Sequence, residues 1–138
     1  MFNQDVNLWA VLVSTVISVG IAMWWFGNSS LGKLWLKLNK VTQKEVKEAK
    51  KKGMGGEMVA AFVSTFVISY VLAIFIKYTQ ATTIMTGIQT GFWLWLGFLA
   101  TSQLGMVLWY KKPFKVYLID TFYYLVILAI SGAIIAVW

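Results

Sequence analysis

The stretch LWAVLVSTVISVGIAMWWF, residues 8–26, runs for 19 residues without a charge. A helix rises ~1.5 Å per residue, so a run of this length crosses a bilayer core of about 30 Å. No basic residue precedes the run and no small-residue cleavage site follows it, which distinguishes it from a signal peptide. We therefore predict that residues 8–26 form a transmembrane helix.

Three further apolar runs follow, at residues 58–76, 84–109 and 114–137. The composition agrees, because 59% of the residues are hydrophobic and 12% are charged, too few to cover a soluble domain of this size. A length of 138 residues suits one domain. The sequence therefore predicts a single all-α integral membrane domain, a bundle of four transmembrane helices.

A Lys-rich loop, residues 27–57, joins the first two predicted spans. Within it, Leu31, Leu34, Trp35 and Leu38 fall at i, i+3, i+4 and i+7, and the lysines lie off this stripe. This spacing predicts an amphipathic helix at the cytoplasmic membrane surface, between the first and second transmembrane helices.

A second helix is expected later in the same loop. Thr42 and Glu45 have the spacing of a capping box, which marks the start of a helix. Gly53 is suited to the left-handed residue that ends one.

The lysines are distributed unevenly between the two sides of the predicted bundle. The first loop holds eight, the region of the last turn holds three, and the opposite side holds only Lys77. Positive residues favour cytoplasmic loops, so both Lys-rich regions are predicted to face the cytoplasm. Both termini are then expected outside.

The net charge of +7 raises the question of what the lysines contact. Nucleic-acid sites usually mix arginine and aromatic residues into a basic patch, and this chain has no arginine, so no nucleic-acid partner is expected. The lipid bilayer is the expected partner, with anionic lipids at the cytoplasmic face. The alternative is that the lysines only fix the topology. The candidate headgroup contacts are Lys33, Trp35, Lys37, Lys50, Lys51 and Lys52.

The residue types that most enzyme and metal sites need are missing. The chain has no Cys and no His, which excludes disulfides, thiolate nucleophiles, and zinc or haem held by Cys or His. Only one acidic residue falls within a predicted span, so no pair of buried carboxylates is available for acid–base catalysis. We expect no enzymatic activity and no cofactor.

Every predicted span carries small residues spaced by four, a pattern that lets helix backbones approach closely in lipid. Gly97, Thr101 and Gly105 form one such ridge in the third span. It can pack inside the bundle, or it can contact a second copy or another membrane protein. The other ridges are Ser14, Ser18 and Ala22; Ala61, Thr65, Ser69 and Ala73; Gly87 and Gly91; and Ala129 and Ala133.

Asp120 is the acidic residue within a span. It lies six residues past Phe114, about 9 Å inward, where an unpaired carboxylate costs roughly 2.5–3.5 kcal/mol. We predict an inward-facing polar cluster near the cytoplasmic third of the bundle. It serves either as a proton, cation or headgroup site, or as an interhelical hydrogen-bond clasp; Asp120 can also turn back toward Lys112 or Lys115. The predicted members are Asp120, Tyr124, Gln103, Ser102 and Ser64.

Several short strings resemble a small prokaryotic membrane family known as domain of unknown function 1761. The strings are GKLWLKL at 32–38, KKGM at 51–54, WLGF at 95–98 with Thr101, and YYL at 123–125 followed by GAI at 132–134. The resemblance implies a four-helix bundle in a bacterial or archaeal inner membrane. It implies no activity. Family members tend to carry an amide where this chain has Asp120, a departure that argues against a family-wide mechanism based on a charge at this position.

Two functional hypotheses follow from these features. The first is a non-enzymatic membrane protein that acts through helix–helix contacts, as a homo-oligomer or as an accessory subunit. The second is a small transporter or channel-like carrier of a small or lipidic solute. Inverted repeats would favour the carrier. However, the long loop joins the two spans of the first half, whereas a tight turn joins the two spans of the second half.

Overall fold

A computed structural model describes residues 5–53 and 55–138 of the chain. All regular secondary structure within these two ranges is helical, as predicted. The elements are α1 (Leu8–Met23), a π-helical turn (Trp24–Asn28), α2 (Ser30–Leu38), α3 (Gln43–Lys52), α4 (Gly55–Tyr78), α5 (Ile84–Leu94), a π-helical segment (Trp95–Ala100), α6 (Thr101–Gln103), α7 (Gly105–Leu108) and α8 (Phe114–Val137).

Four helical stretches are long and apolar enough to cross a membrane, which confirms the predicted set of four long apolar helices. They are called spans 1 to 4 below. In order they are Leu8–Gly27, Gly55–Tyr78, Ile84–Leu108 and Phe114–Val137.

Span 4, which is α8, lies at the centre of the bundle. It contacts all three other spans, and its contact with α5 is the most extensive. Its buried positions extend from Val116 to Gly132. The first helix packs against both α4 and α8, through a buried stripe that recurs with each helical turn. The stripe consists of Ala10, Val11, Ser14, Thr15 and Ser18.

Glycines set the distance between α5 and α8. A Cβ built on Gly91 would lie 2.5 Å from the carbonyl oxygen of Leu128, far inside contact distance. Gly87 and Gly132 face each other, and a Cβ on either would overlap the carbonyl of the other. The predicted ridge of Gly87 and Gly91 is therefore an internal seam of the bundle.

Small hydroxyl residues line the other side of α8. The hydroxyls of Ser18 and Ser131 lie 3.2 Å apart and join α1 to α8 inside the core. On α4, Thr65 and Ser69 are buried as well. These side chains allow the helices to approach closely and still pair some of their polar groups.

The Lys-rich loop folds into two helices. The Ser29 hydroxyl caps α2 by accepting a hydrogen bond from Gly32 N at 3.1 Å. The Thr42 hydroxyl caps α3 in the same way, accepting from Glu45 N at 3.2 Å. The third helix ends at Gly53, whose φ of +84° lies in the region that favours glycine. The predicted roles of Thr42 and Gly53 at the ends of α3 are confirmed.

Candidate functional site

Asp120 lies where the loop helix α2 packs against α8. The indole Nε1–H of Trp35 donates a hydrogen bond to Asp120 Oδ1 at 2.8 Å, and both side chains are half-buried. A hydrogen bond to a carboxylate is stronger than one between two neutral groups. This bond therefore fastens the loop helix to the fourth span.

Aromatic rings from three elements pack around this hydrogen bond. The Phe26 ring lies 5.4 Å from the Trp35 ring and 5.1 Å from the Tyr123 ring, centroid to centroid. Trp25 lies 6.3 Å from Tyr123, and Tyr124 lies 5.0 Å from it. Most of these pairs are tilted or edge-to-face, the arrangements that aromatic rings prefer. These five residues are called the aromatic cluster below, and they give Asp120 largely apolar surroundings.

The tight turn between α1 and α2 brings Trp35 to this position. The end of span 1 is π-helical, and Ser29 Oγ donates to the carbonyl oxygen of Trp25 at 2.5 Å. A Cβ on Gly32 would lie 2.5 Å from the carbonyl oxygen of Phe26, so glycine is the residue that fits there. The absence of a side chain at Gly32 lets α2 fold back closely against the end of span 1.

A second connection joins α2 to the turn before span 4. Asn39 Nδ2 donates to the carbonyl oxygen of Trp35 at 2.9 Å, and Lys112 Nζ donates to Asn39 Oδ1 at 3.1 Å. The Lys112 ammonium also attracts the Asp120 carboxylate electrostatically. The hydrogen-bond partner of the carboxylate is Trp35.

The structure does not assemble the predicted polar cluster around Asp120. Ser64 is exposed on α4, and so is Ser102, whose hydroxyl donates to the carbonyl of Phe98 in its own span. The prediction that these two serines face inward is wrong, because one residue along a helix turns a side chain by about 100° and the inward positions lie beside them.

Two members of the predicted cluster lie inside the bundle. Gln103 Oε1 is buried, and among the described residues it has no hydrogen-bond partner. Tyr124 is half-buried and lies one helical turn along α8 from Asp120. Sequence reasoning missed the residue that does bond the carboxylate, because Trp35 belongs to the loop and not to a span.

The candidate headgroup contacts divide into two groups. The indole N–H of Trp35 bonds Asp120, and contact of the half-buried Trp35 ring with lipid headgroups stays a prediction. The candidate lysines are all exposed. They are Lys33, Lys37, Lys50, Lys51 and Lys52.

Span 3 is not one continuous α-helix. It is π-helical over Trp95–Ala100, and π-helical turns leave backbone carbonyls without their usual partners. Hydroxyl groups compensate: Thr101 donates to the carbonyl of Gly97 at 2.7 Å, and Tyr117 of α8 donates to the carbonyl of Ala100 at 2.6 Å. In the reverse direction, Trp95 Nε1 donates to a carbonyl of α8, that of Thr121, at 2.7 Å.

The ridge of Gly97, Thr101 and Gly105 lies outside the bundle core. A Cβ on Gly97 would meet nothing within 4 Å, and Thr101 is exposed. At Gly105 the nearest atom would be a ring carbon of Trp109 at 3.5 Å. The interpretation of this ridge as an internal seam is wrong, because the π-helical segment changes the register that a spacing of four assumes. The part of span 3 after the π-helical segment lines an open groove of about 560 Å³, formed by residues 101–106 and 108–110.

Together these features define a small four-helix bundle with helices able to cross a membrane and a loop helix fastened to the fourth. In the ranges that the structure describes, no three Asp or Glu side chains gather as a metal ion would require. The chain belongs to the family described as protein of unknown function (DUF1761), whose family model matches residues 9–136. This confirms the resemblance seen in the sequence. Comparisons with curated proteins and with solved structures found no match.

Proposed function

We propose that this protein is a non-enzymatic integral protein of a prokaryotic cytoplasmic membrane, and that it acts through helix–helix contacts made by span 3. The observation that carries this proposal is the poor burial of that span. Of the most apolar 18-residue stretch of each span, 39% is buried in span 4 but 17% in span 3. Span 3 nevertheless exposes Gln89, Gly97 and Thr101, small and polar residues that stabilise helix association in lipid.

A second copy of the chain is the partner that this surface fits. Trp93 and Phe98 protrude from span 3 and are 65% and 67% exposed, while Gly97 beside them leaves open space. A two-fold interface requires one patch to be complementary to itself. A patch that carries both projecting rings and a glycine depression meets this requirement.

The oligomer seam is tested by Gly97→Leu. A leucine there fills the depression, so we expect ~10- to 100-fold weaker self-association in nanodiscs or bicelles, about 1–3 kcal/mol. Gly20→Leu is the matched control, since Gly20 is also an exposed glycine in a span with nothing within 4 Å of its Cβ position. Self-association is measured by energy transfer between labelled copies. A wild-type protein that stays monomeric at every protein-to-lipid ratio contradicts the proposal.

The proposed topology is tested by single cysteines, which this Cys-free chain makes simple to introduce. Lys44 and Thr82 are both exposed, and they lie in the loop after span 1 and in the turn after span 2. With both termini outside, Thr82→Cys reacts with an impermeant maleimide in intact cells, and Lys44→Cys reacts only after permeabilisation. Reaction of both cysteines in intact cells would rule out this arrangement.

The carrier of a small or lipidic solute remains the second candidate, favoured by the Asp120 carboxylate within span 4. In this arrangement the aromatic cluster occupies the space beside the carboxylate. A carrier therefore requires α2 to move away before a solute can reach Asp120. Solute flux that Asp120→Asn abolishes, with the fold intact, would place this function above helix association.

A further inference from the structure

The helix α3 stands apart from the packed bundle. Every side chain of α3 is exposed except Val46, which is half-buried. Among the described residues, the one side-chain hydrogen bond of α3 is its own cap, which Glu45 N donates to the Thr42 hydroxyl. A helix without tertiary packing must be stabilised in another way, because propensity alone seldom holds ten residues in water.

The charges of α3 are segregated around its axis. At about 100° per residue, four lysines fall within an arc of about 120°. Glu45 and Lys52 fall well outside this arc, whereas Val46 and Glu48 each lie about 40° beyond one of its edges. In the described ranges of the chain none of the four lysines forms an ion pair. They are Lys44, Lys47, Lys50 and Lys51, called the basic face below, and all are exposed.

Both ends of α3 are tethered to the same end of the bundle. On one side a short link leads to α2, which Trp35 and Gly32 hold against spans 4 and 1. On the other side Gly53 precedes α4, the start of span 2. If the spans cross a bilayer, the short links at both ends keep α3 close to the surface of one leaflet.

We propose that α3 binds anionic lipid headgroups through its basic face. This inference rests on the membrane insertion proposed above and adds the partner of the loop. The charge of the face matches phosphate and glycerophosphate groups, and lysine stems can cover Val46 while their ammonium groups reach the headgroups. Clusters of four or more lysines beside a span attract anionic leaflets over a distance of one Debye length.

A probe on Val46 tests the proposal. Val46→Cys carries an environment-sensitive fluorophore, and the protein is placed in nanodiscs of phosphatidylcholine alone or mixed with phosphatidylglycerol, each with spin-labelled lipid as a quencher. We expect the quenching of the fluorophore to rise with the phosphatidylglycerol content. This rise should disappear at about 1 M salt, where the Debye length is ~3 Å. The same fluorophore at Glu45→Cys, which lies about 160° around the helix from the centre of the basic face, should respond much less.

The matched control separates the basic face from net charge. One variant replaces Lys44, Lys47, Lys50 and Lys51 with glutamine, and the control replaces the exposed Lys40, Lys77, Lys111 and Lys115, so both lose four charges. Each lysine near an anionic surface changes the bound-to-free ratio of the helix about fivefold, so this ratio should fall by roughly 600-fold in the first variant and far less in the control.

Three outcomes overturn the proposal: equal quenching in both lipid mixtures, equal loss in both variants, or a probe that responds to inorganic phosphate or to a short RNA but not to phosphatidylglycerol. Resistance of the wild-type protein to alkaline carbonate extraction is measured in parallel. Extraction from the membrane would contradict the proposed function itself. If the protein resists extraction but the fluorophore does not respond to phosphatidylglycerol, only the proposed lipid contact is contradicted.

Discussion

Gly91→Ala is expected to destabilise the bundle more than an alanine at any other glycine of the four spans outside the Gly87–Gly132 contact. The new Cβ would lie 2.5 Å from the carbonyl oxygen of Leu128 and 2.9 Å from its carbonyl carbon. These are backbone atoms of a long helix and cannot rotate away as a side chain can. Overpacking of this kind costs about 1–3 kcal/mol or more, which exceeds the ~1 kcal/mol that alanine gains over glycine in helix propensity.

The control for this prediction is Gly20→Ala. Gly20 also lies inside a span, but nothing comes within 4 Å of its Cβ position, so the substitution keeps the propensity gain without the clash. Unfolding by sodium dodecyl sulfate in mixed micelles, followed by tryptophan fluorescence, compares the two. If Gly91→Ala is as stable as Gly20→Ala, then α5 and α8 do not pack at the distance described.

Trp35→Phe is expected to release α2 from span 4. Phenylalanine keeps a ring against Phe26 but removes the N–H that Asp120 accepts, leaving the half-buried carboxylate without that donor. A hydrogen bond to a charged group contributes about 1.5–3 kcal/mol, so α2 should open ~10- to 100-fold more often. Hydrogen exchange of the backbone amides of residues 30–38 measures this opening directly.

Two further variants show whether Asp120 is the group that holds Trp35. Asp120→Asn retains an oxygen acceptor and should loosen α2 less than Asp120→Leu does. In the double variant Trp35→Phe with Asp120→Leu, the two effects should not add, because both remove the same bond. Trp24→Phe is the matched control, since the Trp24 side chain is 56% exposed. Unchanged exchange in Trp35→Phe would show that the hydrogen bond does not hold the loop helix.

Local sequence patterns determined the elements of this protein. A charge-free run such as residues 8–26 can satisfy its backbone polar groups as a helix wherever water is absent, so its length and composition predict a span without reference to any partner. The ends of α3 follow the same logic. Thr42 and Gly53 act on backbone groups a few residues away, and their types alone predict the cap and the stop.

The candidate site was only half visible in the sequence. The sequence identifies Asp120 as a candidate site residue, because a carboxylate within a span needs a polar partner whatever the fold. It does not identify the partner, because Trp35 is 85 positions away and reaches Asp120 only through the tight turn at Ser29 and Gly32. Ser64 and Ser102 satisfied the same depth argument and turned out to be exposed.

The sequence by itself determined that the chain forms four long apolar helices and where α3 begins and ends, because these features depend on interactions within a few residues. Only the tertiary structure decided which ridge faces which helix. Gly87, Gly91 and Gly132 form the seam between α5 and α8, while Gly97 faces outward past a π-helical segment. The spacing of four is the same in both ridges, so the choice depends on the register of span 3 and on the neighbour that packs against it, and no short-range pattern encodes either.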